Sequence, residues 1–183
     1  MSLEEARISE LRATAHPLRL QMLSLLTGAE LSAAEVAREL DITQANASYH
    51  LRLLESTGLL EIAGEETVRG GRAKKYRHRW DAPVVRPQAT HDDDRLAYVR
   101  VLAEMIPRRF VERERGAQCR FTDAELWVEP EVWDRVTALV DEASSLLHAS
   151  ARPPRSEGTI RTALSVAAFR LEAGTTNDQQ ESR

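Results

Sequence analysis

The chain has 183 residues with a formal net charge of -4, and 42% of them are apolar, 5% aromatic and 30% charged. That composition excludes collagen-like and wholly disordered chains, no apolar run approaches the roughly 18 residues of a membrane span, and the length fits one or two small domains. The acidic Met1–Glu10 stretch is unlike a secretory signal, and the one cysteine, Cys119, forms no internal disulfide and no cysteine-rich zinc site, so a cytoplasmic protein with no membrane partner is expected.

In chain order, Leu3, Ala6, Ile8 and Leu11 recur near the helical period and predict a first helix over residues 3–13. His16 and Pro17 open a second, with Leu18, Met22, Leu25 and Leu26 as its buried stripe and Gly28 as its end. Ser32 and Glu35 stand at capping-box spacing ahead of a short third helix lined by Val36, Ala37 and Leu40 and closed by Asp41. Thr43 caps a fourth helix, Gln44 to Thr57, whose Ala47, Leu51 and Leu54 point inward and whose end is set by Gly58.

Two helices joined by a turn of about three residues make a helix-turn-helix, in which the second helix can enter the major groove of DNA. Small Ala37 allows the helices close approach and Ile42 plugs the turn, although the same arrangement also occurs in purely structural bundles. Leu59 to Ala63 then reads as a strand, Gly64 to Gly71 as a turn, and Ala73 to Trp80 as a second strand, which together form a hairpin placed as the wing of a winged helix.

Residues 1–80 carry 11 basic and 11 acidic side chains, while residues 81–183 carry 14 and 18. Within the first part Arg69, Arg72, Lys74, Lys75, Arg77 and Arg79 fall in 11 residues with no acid between them. One dense cationic strip on a neutral domain suits a local polyanion contact, and a solvated hairpin is the plainer alternative.

The segment TQANASYHLRLLESTGLLE, preceded by AHPLRLQMLSLL and followed by GGRAKKYR, resembles the ArsR-type winged-helix transcriptional regulators. The likeness covers about residues 5–80 and rests on the H-P-x-R-x-x-x-L opening of the second helix, on Ser48, His50, Leu51 and Leu54, and on Gly58. It implies a homodimeric regulator, mostly a repressor in that family, that binds double-stranded DNA through the fourth helix. Gln44, Ala45, Ser48, Tyr49 and Arg52 then face the groove, an assignment that helical geometry also gives, since they lie opposite Ala47, Leu51 and Leu54. Gln44 suits an adenine edge, Arg52 a guanine or a phosphate, and Ser48 either, while Tyr49 suits a sugar or phosphate contact. Thr43 with the first N–H groups of the helix suits a phosphate, as do Lys74, Lys75 and Arg77 on the wing, while Arg69 and Arg72 beside its tip suit either a minor groove or phosphates. His50 falls toward the packed side as a structural or phosphate-facing histidine rather than a base reader.

Many members of the family sense metals through thiolates and imidazoles, but LSAAEVAREL over Leu31–Leu40 contains neither, which places this chain in a non-metal-sensing branch. His91, Asp92, Asp93 and Asp94 fan out around a helix axis, so a helix N-cap is the simpler account of them, and no metal or other cofactor is expected. Cys119 reads as a small buried side chain.

Residues 81–91 read as a linker. Beyond it a helix from Asp92 carries Leu96, Val99, Leu102, Ala103 and Ile106, with Pro107 ending or kinking it, and serves the dimer in the family's manner. A strand at Gln118–Val128, a helix at Pro130–His148 and a strand at Thr159–Leu171 complete a dimerisation or effector domain over residues 92–172, and residues 173–183 form a disordered tail. Trp127 and Trp133 either wall a pocket for an unidentified small-molecule effector or pack as core, and His148 and Glu142 read as exposed helix residues. The expected class is mainly α with small β: a winged helix-turn-helix followed by a helical or α+β extension. The expected function is sequence-specific transcriptional regulation at a pseudo-palindromic operator. A protein-interaction module in a larger assembly is the alternative, and no catalytic motif suggests an enzyme.

Overall fold

A computed structural model describes residues 11–68, 71–81 and 92–172. The first predicted helix therefore enters only at its end, where residues 11–14 are helical. Arg69, His91, linker residues 82–91 and the tail 173–183 lie outside the described residues. No described helix is long and apolar enough to cross a membrane.

Helix α1, Pro17–Gly28, starts where sequence chemistry puts it, with Pro17 in the first turn and the His16 ring accepting the Leu18 N–H at 3.2 Å. Its Met22, Leu23 and Leu26 are buried, while Leu18 and Leu25 are partly covered. Strand β1 is the two-residue Leu31–Ser32, too short to leave a pattern in the sequence. Helix α2, Ala33–Glu39, begins with the expected capping box: Ser32 N–H donates to Glu35 Oε2 at 2.8 Å and Glu35 N–H to Ser32 Oγ at 3.4 Å. These bonds hold the Glu35 carboxyl below the usual carboxylate range, the backbone bond from Ser32 foremost. Such a cap stabilises a helix by about 1 kcal/mol.

The turn after α2 rests on Asp41 in the left-handed region, φ 52, with Ile42 N–H donating to Ala37 C=O at 3.0 Å. Helix α3, Gln44–Ser56, follows, with Thr43 Oγ1 accepting the Asn46 N–H at 3.2 Å. It buries Ala47, His50, Leu51 and Leu54, and Gly58 at φ 80 releases the chain toward the sheet. Met22, Leu26, Val36, Leu51 and Leu54 are fully enclosed and form the centre of the core. Burying side chains of this size contributes about 1.5–3 kcal/mol each.

Strands β2, Leu60–Val68, and β3, Gly71–His78, pair antiparallel, and β1 joins the far side of β3 to give the order β1-β3-β2. The segment 64–71, read from its glycines as a turn, is mostly strand: Gly64 sits at a bulge beside Ile62 and Glu65 to Val68 continue the ladder. A bulge accommodates glycine without breaking the pairing, so the paired part of the hairpin is longer than expected. Tyr76 of β3 turns inward and is buried in the core. The sheet and the three helices before it make a winged helix, with a helical extension behind it.

Helix α4 runs from Asp92 to Val111 and passes through Pro107 without ending. Pro107 is exposed, so the carbonyl that loses its N–H partner faces water. Asp94 is buried and pairs with Arg12 at 3.6 Å, and Met105 is also buried. The predicted stripe is otherwise open, with Leu96, Val99 and Ile106 exposed.

Helix α5, Pro130–Ala149, matches its expected span but buries no residue. The flanking stretches 118–128 and 159–171, expected as strands, form no ladder in the single chain because no neighbouring strand is there to receive their backbone groups. Cys119 is exposed for the same reason, contrary to expectation. Trp127 is also exposed and Trp133 half-buried, so they neither enclose a pocket nor fill a core.

The C-terminal end of α5 docks on the winged helix. A Cβ at Gly28 would lie 2.4 Å from the Arg152 carbonyl oxygen, so only glycine permits this approach. Arg155 pairs with Glu39 at 2.5 Å. The His148 ring, read as an exposed helix residue, stands instead against Trp80 and His78, with centroids 5.9 and 6.3 Å apart. Thr27 Oγ1 lies 2.9 Å from His78 Nδ1.

Candidate nucleic-acid interface

The inward stripe of α3 leaves the opposite face of that helix free of the core. Gln44, Ala45, Tyr49 and Arg52 are exposed there and Ser48 is half-buried among them. Thr43 is exposed at the head of the helix, and its oxygen is already engaged by the Asn46 N–H. Its hydroxyl proton remains available to an acceptor. These six residues therefore share one end and one face of α3. Arg52 takes part in no ion pair among the described residues.

Tyr49 joins this face to a pair of histidines, buried His50 and half-buried His16. Its ring meets His50 edge-on at 5.1 Å, and His50 lies 5.0 Å from the ring of His16 at the start of α1. Burial pushes both imidazoles below the usual histidine range. Arg19 adds to this for His16, and His16 followed by Arg19 adds to it for His50. His50 thus takes the packed position, neutral near pH 7, and its Nδ1 has no hydrogen-bond partner among the described residues.

The wing differs from the sequence reading in one respect that matters electrostatically. Each described cation of the strip has a carboxylate beside it. Arg72 pairs with Glu65 at 2.5 Å, Lys74 with Glu55 of α3 at 3.3 Å and Lys75 with Glu66 at 3.2 Å. Arg77 and Arg79 share Glu61 of β2, with Arg79 at 3.6 Å. The hydrogen bond that Lys75 donates to Glu66 raises its ammonium above the ordinary range, and the bond to Glu61 does the same for Arg77.

These acids escaped the sequence argument because the cationic strip was counted along the chain. The relevant neighbours are across the ladder, where Glu61 stands opposite Arg77, and Glu65 and Glu66 stand diagonal to Arg72 and Lys75. The alternation of Glu61, Glu65 and Glu66 ahead of the basic run was the available signal. Surface pairs of this kind are worth about 0–1 kcal/mol, so a phosphate competes with each carboxylate on nearly even terms.

Comparison with protein-family models matches residues 14–63 to a helix-turn-helix domain, a span running from the turn before α1 into β2. No curated protein matches the chain. The match and the geometry coincide on α2, its turn and α3, the arrangement of a DNA-binding regulator.

Proposed function

We propose that this chain is a sequence-selective, double-stranded-DNA-binding transcriptional regulator of the ArsR type that acts as a homodimer, most simply as a repressor occluding a pseudo-palindromic operator. The observation that carries the reading is the α3 face: Gln44, Ala45, Ser48, Tyr49 and Arg52 stand clear of the core on the second helix of a helix-turn-helix. In this reading Gln44, Ser48 and Arg52 contact base edges and Tyr49 a sugar or phosphate. Ala45 supplies an apolar contact such as a thymine methyl, and Thr43 holds a phosphate at the helix head. Arg72, Lys74, Lys75 and Arg77 exchange their carboxylates for backbone phosphates of the flanking groove. The open apolar positions of α4, Leu96, Val99 and Ile106, support self-association.

A second reading, a protein-interaction module, draws on the paired charges of the wing, which present less net positive potential than the sequence alone suggests. Selection from a random double-stranded DNA pool, followed by titration at several salt concentrations, separates the two. The regulator reading expects a two-fold symmetric motif. Arg52→Ala should shift which sequences are preferred, and Lys74→Ala should weaken all sequences alike, lowering the salt slope by about one. Binding no tighter than to scrambled DNA at every salt concentration would transfer the assignment to the interaction module.

A further inference from the structure

No residue from 106 to 172 is buried, although this part of the chain is not polar. Phe121, Leu126, Trp127 and Ile160 are 80, 74, 88 and 82% exposed, and Phe169 and Leu171 more than half so. The backbone is equally bare. Among the described residues no backbone–backbone hydrogen bond involves residues 118–128 or 160–172.

The second of these segments is nevertheless held between two helices. Leu164 and Val166 face Val136, Leu139, Val140 and Ala143 of α5 across an open apolar groove of about 280 Å³. Arg161 and Ser165, at the alternate positions, reach Glu112 at 2.7 Å and Arg109 at 2.9 Å. Side chains that alternate between two neighbours at a period of two are those of a strand. The first segment is anchored to α4 by Phe121, whose ring lies 6.0 Å from that of Phe110. Segments whose backbone donors and acceptors are left unpaired are templates for strands of another chain.

We propose that residues 118–128 of one copy pair with residues 159–171 of a second copy of this chain, forming an intermolecular β-sheet that completes the extension. Three features select a second copy. First, residues 159–171 carry Arg170, along with Arg161 that Glu112 of its own chain already holds, and no acid, whereas residues 118–128 carry Asp123 and Glu125 against Arg120. The two segments are thus complementary in charge, and a two-fold axis makes the contact twice. Second, the six large apolar side chains named above offer on the order of 700 Å² per chain, close to the roughly 800 Å² per partner of a stable interface. Third, the two segments form no ladder with each other inside one chain, so each edge is free for the other copy's strand. The inference specifies how the proposed homodimer is built, and it does not depend on DNA.

The test is hydrogen exchange on the full-length protein without DNA, combined with sedimentation over about a hundredfold range of concentration. The expected result is a species of twice 20.6 kDa in which amides of both segments exchange at least about 100-fold slower than open chain, with protection fading as dilution yields 20.6-kDa monomer. Trp127→Glu and, independently, Phe169→Glu should shift the species to monomer at concentrations where the parent is a dimer, with amides of α1–α3 remaining protected. Ala167→Pro, which removes one strand donor without adding charge, should abolish protection in both segments together. A dimer whose two segments exchange as fast as open chain would overturn the proposal, as would protection that persists in a monomer. A protected dimer that binds no DNA would leave this inference standing and remove the regulatory reading.

Discussion

The double substitution Glu65→Gln/Glu66→Gln removes the carboxylates that pair with Arg72 and Lys75 while preserving side-chain shape. If the wing meets DNA, each cation currently has to leave a surface ion pair worth about 0.2–1 kcal/mol before it engages a phosphate. Freeing two of them should therefore tighten binding by about 2- to 30-fold at moderate salt. Each carboxylate removed should also steepen the plot of log affinity against log salt by up to about 0.9. Fluorescence anisotropy of a labelled operator at four or five salt concentrations measures both quantities. Glu142→Gln, which removes an exposed carboxylate of α5 outside both pairing segments, serves as the control and should change neither. Unchanged affinity and slope in the double variant would refute the placement of the wing against phosphates. An equal gain in the control would show only that total charge matters.

Acidification should destabilise the joint between wing and extension. Burial, helped by the nearby His148, pushes the His78 imidazole down to about 4. Between the unfolded value near 6.5 and that pKa the unfolded chain takes up a proton that the folded chain refuses. Stability is then complete above pH 6.5 and falls by roughly 2–3 kcal/mol on approaching pH 4. Urea denaturation of the parent and His78→Gln at pH 7.5 and 4.5 should show a smaller loss in the variant, and an identical loss would remove His78 from the account. Gly28→Ala should lower stability by about 1–3 kcal/mol and expose the end of α5 to hydrogen exchange, because its Cβ meets the Arg152 carbonyl. Stabilisation by up to about 1 kcal/mol, as alanine gives in an uncrowded helix, would contradict that contact.

Features that depend on a few consecutive residues were legible in the sequence. The Ser32–Glu35 capping box, the Thr43 cap, the His16–Pro17 start and the release at Gly58 are each decided within four positions, and together they place α1–α3. The exposed face of α3 follows from its period once Ala47, Leu51 and Leu54 are assigned inward. What the sequence left hidden needs partners distant along the chain. Strand β1 exists only because Tyr76 and Lys75 lie opposite it. The neutralised wing depends on cross-strand register, and the bareness of Cys119 and Trp127 depends on whether anything covers them. The strand expected at 159–171 is a statement about one segment, and it carries no information about which strand, or which copy, supplies the other half of the ladder. At Pro107 one of the two expected outcomes is settled, since the helix does not end there.

The contact between Gly28 and Arg152 also acts as a fulcrum. Helix α5 has 20 residues and so measures about 30 Å, and the chain just beyond its C-terminal end is seated at Arg152, where a hydrogen atom is all the side chain that fits. A tilt of about 5° about that point would carry the far end, at Pro130, through roughly 2.6 Å, half the rise of a helical turn. Leverage then runs both ways along one rigid rod. A displacement at Pro130 reaches α1 as a small rotation, and a small rotation of the winged helix returns as a large displacement at the other end.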